Sequence, residues 1–203
     1  MQQDPQIRTP ETCVTGRIYV VPIHRPLTVN LQFLAETIAA RFGIPSVVLP
    51  LNIDPSRAFD RFRNQFRSTE LLAQLLEEAP ADAIKILGLT DLDLFVPVLT
   101  YVFGEAQLEG KAAIVSCFRL KNELFGIPPD NHLLQTRLLK EAIHELGHTF
   151  GLVHCDDPFC VMRVSTYVEE IDYKGDDFCA ECRRHLSRRL EKLGGIHLRK
   201  ASS

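Results

Sequence analysis

Three histidines and a glutamate fall within a run of eleven residues, as His144, Glu145, His148 and His154. Apolar residues recur at helical spacing before and within this run, which predicts one long helix over about residues 133–150. Because residues four apart lie one above the other on a helix face, His144 and His148 can reach a single metal ion. Glu145 is rotated from that line, so its carboxylate can face a metal-bound water rather than the metal.

The residues that follow this helix sharpen the prediction of a catalytic metal site. Gly151 can adopt the left-handed backbone conformation that ends helices, and the chain then returns His154 as a third nitrogen ligand. Three protein ligands leave the fourth position of zinc open for water and substrate. Zinc lowers the pKa of bound water to about 7, and Glu145 would act as general base for attack on a polarised carbonyl. The alternative is an amphipathic helix with surface histidines, but it does not explain why three histidines, a glutamate and a glycine occur together at this spacing.

Four cysteines, Cys155, Cys160, Cys179 and Cys182, follow the histidines closely. The polar first twelve residues contain no apolar leader, so a reducing, cytoplasmic location is expected. Clustered thiols in such a compartment indicate a metal site, with two small-loop disulfides as the alternative. Four thiolates would close a tetrahedral zinc site, which would therefore be structural. The remaining cysteines, Cys13 and Cys117, are expected to be free thiols.

The order of predicted elements indicates an α/β fold. Strands are predicted over residues 17–22, 46–51, 83–89, 101–107 and 111–120, and helices over about residues 31–42, 71–76, 133–150 and 178–193. A strand, a helix and a strand within the first part imply a parallel pair. The Glu109-Gly110 turn makes residues 101–107 an antiparallel edge strand, and residues 156–177 read as a loop. We expect a twisted, mostly parallel sheet covered by helices.

The extended run His-Glu-x-x-His-x-x-Gly-x-x-His resembles that of the metzincin zinc metalloproteases. Cys155 directly after it, the step from Cys160 to Met162 and the later Cys-x-x-Cys resemble the archaemetzincins in particular. The spacing from Met162 to Cys179 is one residue shorter than in that family. Val164 also stands where some metzincins have a tyrosine, so that role is not assigned to Tyr167 or Tyr173.

The resemblance implies a metzincin-like fold with two zinc ions per chain. It implies a single catalytic domain, with an N-terminal subdomain over about residues 1–151 and a small zinc-bound C-terminal subdomain over about residues 152–203. The implied ligands are His144, His148 and His154 for the catalytic zinc and Cys155, Cys160, Cys179 and Cys182 for the structural zinc. Glu145 would be general base and then proton donor to the leaving amine. Met162 would form the base of the site, in the turn beneath the zinc, and Gly151 would support it by ending the helix.

Two other functions remain open at the level of sequence. Residues 183–203 contain seven lysines and arginines and one acidic residue, so the last helix of a zinc module could contact nucleic acid or an acidic partner. The zinc sites could also belong to a scaffold that binds without catalysis. The net charge of −3 does not itself indicate nucleic acid, and no apolar run is long enough for a membrane span. A monomeric peptidase acting on peptides is the function that we expect.

Overall fold

The computed structural model describes residues 16–24 and 28–193. Cys13 and the last ten residues lie outside these ranges. The described strands are β1 (Arg17–Pro22), β2 (Ser46–Val48), β3 (Phe59–Asp60), β4 (Gln65–Arg67), β5 (Ala83–Thr90), β6 (Leu94–Phe95), β7 (Gly104–Ala106) and β8 (Ala112–Ser116). The described α-helices are α1 (Leu31–Phe42), α2 (Ser68–Glu77), α3 (Asn131–Thr149), α4 (Val168–Tyr173) and α5 (Ala180–Lys192).

The main sheet has the strand order β2-β1-β5-β8-β7. Strands β2, β1, β5 and β8 run parallel, and β7 joins β8 as an antiparallel edge strand. This confirms the predicted mostly parallel sheet, its parallel pair around α1 and its antiparallel edge. The central strands are apolar on both sides because each face is covered: one by α1 and α3, the other by α2.

Local signals in the sequence explain where α1 begins and ends. The Asn30 side chain accepts a hydrogen bond from the Phe33 N–H at 3.0 Å, which caps the first turn. Gly43 ends the helix with a φ of 66°, and its N–H donates to the Ala39 oxygen. Between these caps Leu34 and Ile38 are fully buried against the sheet. The predicted helix is therefore confirmed at both ends.

Helix α3 is the longest helix among the described residues, and its end fits the prediction. Its first turn is capped by Asp130, whose carboxylate accepts a hydrogen bond from the Leu133 N–H. Gly151 follows with a φ of 85° and donates its N–H to the His148 oxygen at 2.9 Å. Glycine adopts a positive φ without strain, so Gly151 allows the chain to reverse direction here. Residues 152–163 then pass beneath the helix.

The structure corrects the predicted loop over residues 156–177, because α4 lies within it. This six-residue helix has no strong apolar period of its own and is held by α3. Arg137 forms two hydrogen bonds to the Asp172 carboxylate, at 2.7 and 2.6 Å, and Lys140 donates to the Ile171 oxygen at 2.8 Å. Such a short helix depends on tertiary contacts, which the local sequence does not reveal.

Two further differences concern strands. A second sheet, of order β3-β4-β6, was not predicted, because strands of two or three residues leave little periodic signal. The predicted strand over residues 46–51 ends at Val48, and the predicted hairpin arms shorten to β7 and β8. No helix in the described part of the chain has the length and apolar character that a membrane span needs.

Candidate metal centre and cleft

Helix α3 presents its histidines to a cleft with a volume of about 740 Å³. His144 and Glu145 are buried, His148 is half-buried, and His154 reaches the same point from the chain that follows α3. The ring centroid of His154 lies 5.4 Å from that of His144 and 5.0 Å from that of His148. One nitrogen from each ring lies within 4.8 Å of the others. The structure thus brings the three predicted histidines together.

Backbone carbonyl groups orient two of these imidazole rings. His144 Nδ1 lies 2.8 Å from the Val161 oxygen, and His148 Nδ1 lies 2.8 Å from the Leu152 oxygen. A carbonyl oxygen only accepts, so each Nδ1 carries the proton and each Nε2 is left with a lone pair. The two Nε2 atoms are 3.1 Å apart. Burial lowers the pKa of His144 well below its usual value and also lowers the pKa of His148, so it favours the neutral form of both rings. Such a set of neutral, converging nitrogen donors fits a zinc ion.

Met162 lies directly against the histidine-bearing helix. It is fully buried, and a Cβ on Gly147 would lie only 2.5 Å from its Sδ atom. The glycine inside the motif therefore permits the close approach of Met162. The Met162 oxygen also accepts a hydrogen bond from the Cys155 N–H at 3.1 Å, which joins this turn to the segment that carries His154.

Glu145 lies at the boundary between α3 and the edge strand β7. A Cβ on Gly104 would lie 2.7 Å from Glu145 Cγ, so β7 passes immediately beside this carboxylate. Burial raises the pKa of Glu145 well above its usual value, and the negative charges of Glu141 and Glu105 add to this effect. The positive charge of Lys174 opposes it. Glu145 is therefore a buried carboxyl group next to both the histidines and a strand edge.

A buried ion pair beneath the cleft was not predicted from the sequence. Lys174 Nζ lies 2.7 Å from Glu141 Oε1, and both side chains are almost completely buried. No well-oriented hydrogen bond reaches Glu141 Oε1, so the contact is chiefly electrostatic. Lys174 Nζ also donates to the Arg163 oxygen at 3.2 Å, which ties the turn after Met162 to α3. The available signal was Glu141 itself, a charged residue one turn before Glu145 on a buried helix face.

The four predicted cysteines also come together, as a second cluster behind His154. One sulfur from each of Cys155, Cys160, Cys179 and Cys182 lies within 4.8 Å of the others. The sulfurs of Cys155 and Cys179 are 3.8 Å apart, well beyond the disulfide bond length of about 2.05 Å. Backbone N–H groups point at two of the sulfurs, from Cys179 to Cys160 and from Cys182 to Cys179. Such a set of four sulfurs fits a closed tetrahedral zinc site.

Cys117 and two arginines of the last helix, all outside the clusters, bear on the other predictions. Cys117 is buried beside the sheet, and burial raises the pKa of its thiol to about 11, as for an unreactive cysteine. In the basic last helix, Arg183 pairs with Asp177 and Arg189 pairs with Glu109. Part of the basic charge considered for nucleic-acid binding is thus already neutralised within the protein.

A mostly parallel sheet packs against a long helix that carries two of the three converging histidines, and the third follows that helix beside the same cleft. This is the architecture of a metallopeptidase. The model for Peptidase family M54 matches residues 32–188, so the chain belongs to this family, the archaemetzincins. It is 38% identical to the archaemetzincin of Methanocaldococcus jannaschii over 173 residues, which is 85% of this chain and 94% of that protein. It is 39% identical to the archaemetzincin of Pyrococcus furiosus over 180 residues, which is 85% of this chain and 93% of that protein.

Solved structures agree with this assignment. The archaemetzincin from Methanopyrus kandleri superposes with a TM-score of 0.77 at 32% identity, covering 88% of this chain and 97% of that one. A zinc-dependent peptidase from Methanocorpusculum labreanum superposes with a TM-score of 0.74 at 32% identity, covering 84% of this chain and 100% of that one. The predicted family and fold are confirmed.

Proposed function

We propose that this chain is a zinc-dependent peptidase whose catalytic zinc is held by His144, His148 and His154. The observation that carries the proposal is the convergence of three imidazole nitrogens, within 4.8 Å of one another, in a cleft beside Glu145. Zinc bound there supplies a Lewis acid, which polarises a substrate carbonyl and lowers the pKa of water to about 7. Membership of a peptidase family supports the same reaction.

Glu145 is proposed to carry the proton during hydrolysis. Its carboxylate takes a proton from the attacking water as the oxygen–carbon bond forms, and gives it to the nitrogen as the carbon–nitrogen bond breaks. The nitrogen then leaves as a neutral amine rather than as an anion. The close approach of Gly104 to Glu145 supports this role, because a peptide held along β7 passes beside the carboxylate.

The free edge of β7 is the proposed binding strand for the peptide. The Ser116 N–H donates to the Phe103 oxygen, and the Gln107 N–H donates to the Ala112 oxygen. Every second residue of an antiparallel strand faces the same neighbour, so residues 103, 105 and 107 direct their backbone groups toward β8. In an antiparallel ladder the residues between them face the other way. Gly104 and Ala106 therefore turn their N–H and C=O groups to the open edge, where an extended peptide can add as a further strand.

A second zinc, held by Cys155, Cys160, Cys179 and Cys182, is proposed to be structural. Four sulfur ligands leave no position for substrate. Because Cys155 follows His154, this zinc would also fix the third ligand of the catalytic site. The chain would then work as one catalytic domain, in which an N-terminal subdomain to about residue 151 and a C-terminal subdomain from about residue 152 meet at the cleft.

The test is peptide-library turnover by the purified wild type and by Glu145→Ala, with zinc content measured on the same samples. Glu145 is not proposed as a ligand, so the variant is expected to keep both zinc ions and lose turnover. A variant that keeps both metals and the wild-type rate would overturn the role of Glu145. A wild type that holds two zinc ions but cleaves nothing in the library would favour the non-catalytic scaffold instead.

A further inference from the structure

The carboxylate of Glu105, in the middle of β7, has no role in the proposed chemistry. Its two oxygens lie 3.0 and 3.1 Å from Thr69 Oγ1, near the first turn of α2. Within residues 16–24 and 28–193 it forms no ion pair with a lysine or arginine. The half-buried side chain is thus held in place by a hydroxyl group, while its negative charge is left without a cation.

The pleat of β7 fixes which way Glu105 points. Gly104 faces Glu145 on α3, so Glu105, the next residue, projects to the opposite face of the sheet, where Thr69 lies. A strand that pairs with the free edge of β7 directs its side chains alternately to the two faces of the sheet. A peptide residue opposite Glu105 would therefore project on the same face as the carboxylate.

The hydrogen-bond pattern brings this peptide residue close to Glu105. Gly104 and Ala106 direct their backbone groups outward, so they form the hydrogen-bonded pairs with an added antiparallel strand. The residue opposite Glu105 then belongs to the non-hydrogen-bonded pair between them, in which the Cα atoms are only about 4.5 Å apart. Opposite charges at such directly facing positions stabilise strand pairing, and like charges destabilise it.

We propose that Glu105 is a specificity-determining residue that selects a lysine or arginine in the peptide substrate. This inference rests on the proposed peptidase function and on binding along β7. Since Gly104 lies beside Glu145, the residue opposite Glu105 is within two residues of the cleaved bond. Because the added peptide runs antiparallel to β7, the peptide residues opposite Glu105 and Ala106 are N-terminal to the peptide residue opposite Gly104. The selected basic residue therefore lies on the N-terminal side of the cleaved bond.

The direct test compares peptides that differ only by Lys, Gln or Glu at one position, scanned along the two residues N-terminal to the cleaved bond. The wild type is expected to prefer Lys over Glu at one of these positions by on the order of tenfold in kcat/KM, because an attractive pair replaces a repulsive one. Glu105→Gln should reduce this ratio to near unity, and Glu105→Lys should invert it. A wild type without basic preference, or a Glu105→Lys enzyme that keeps it, would overturn the proposal.

Glu109→Gln is the matched control. It removes the same charge from the same hairpin, but Glu109 pairs with Arg189 away from the cleft, so the lysine preference should persist. If Glu109→Gln abolished the preference as Glu105→Gln does, the effect would be one of net charge and the proposal would fail.

A binding measurement separates this proposal from the proposed function. The zinc-loaded Glu145→Ala protein is titrated with the labelled Lys and Glu peptides, and fluorescence anisotropy reports Kd. If the Lys peptide binds more tightly than the Glu peptide, and this difference in Kd depends on Glu105, the specificity is supported even where the wild type shows no turnover. Equal Kd values for the two peptides contradict it even where turnover is observed.

Discussion

Replacing Gly104 with alanine is expected to impair catalysis while leaving zinc in place. The new Cβ would lie 2.7 Å from Glu145 Cγ and 2.7 Å from the Ile114 oxygen. Carbon atoms in contact are relaxed at about 3.5–4.0 Å, so a neighbour must move by about 1 Å. The Ile114 oxygen belongs to the ladder between β7 and β8 and is the less mobile of the two. The Glu145 side chain is therefore the group that should move.

The size of the effect follows from this displacement. A shift of about 1 Å in a positioned group costs on the order of 10²-fold in rate, and general acid–base catalysis as a whole contributes about 10²–10⁴-fold. We expect kcat to fall by about 100-fold and the free energy of unfolding to fall by about 1–3 kcal/mol through overpacking. The zinc content should be unchanged, because the clash is with Glu145 and Ile114.

The assay is steady-state hydrolysis of a fluorogenic peptide, with zinc measured by mass spectrometry and stability by urea unfolding. Gly126→Ala is the control, since its Cβ would meet nothing within 4 Å while its φ of +70° strains the backbone. It should lose stability but not kcat. In a Glu145→Ala background, Gly104→Ala should cost less stability because one clash has been removed. A Gly104→Ala enzyme with wild-type kcat would refute the proposed role of Glu145 as a proton carrier that β7 holds in position.

Three further substitutions test other parts of the site. Lys174→Met should lower the free energy of unfolding by about 3–5 kcal/mol in urea titrations, because it leaves the buried Glu141 carboxylate without its cation, and adding Glu141→Gln should recover part of that loss. Gly147→Ala should cost about 1–3 kcal/mol by the same measurement, since its Cβ meets Met162 Sδ, and an unchanged stability would contradict that packing. Cys179→Ser should remove one zinc by mass spectrometry and lower the thermal unfolding midpoint, whereas an unaltered zinc content would exclude it as a ligand.

The histidine and cysteine clusters were predictable because local spacing determines them. The helical repeat brings His144 and His148 to one face, and a glycine with positive φ returns His154 to the same point. The cysteine cluster follows in part from the same turn, since Cys155 is the residue after His154. The parallel sheet was predictable for a similar reason, because its buried strands are continuous apolar runs separated by an amphipathic helix.

The elements that sequence analysis missed depend on residues far apart in the chain. Helix α4 is stabilised by side chains from α3, and the charge pair of Lys174 with Glu141 joins positions that no short motif connects. The orientation of Glu105 required the register of β7 against β8, because a shift by one residue would turn its side chain to the other face. The predicted Glu109-Gly110 turn indicates that register, but no local signal shows that Gly104 packs on Glu145 or that Thr69 contacts Glu105.

The central claim is that an open, three-histidine zinc site performs the hydrolysis while a closed cysteine site maintains the fold. The most direct measurement is stepwise removal of zinc by a chelator, with peptide turnover, zinc content and circular dichroism followed on the same sample. The first zinc equivalent should leave with all of the turnover and none of the folded signal, and one equivalent of added zinc should restore the rate. Turnover that persists after the first zinc has left, or that is lost only when the protein unfolds, would contradict the account.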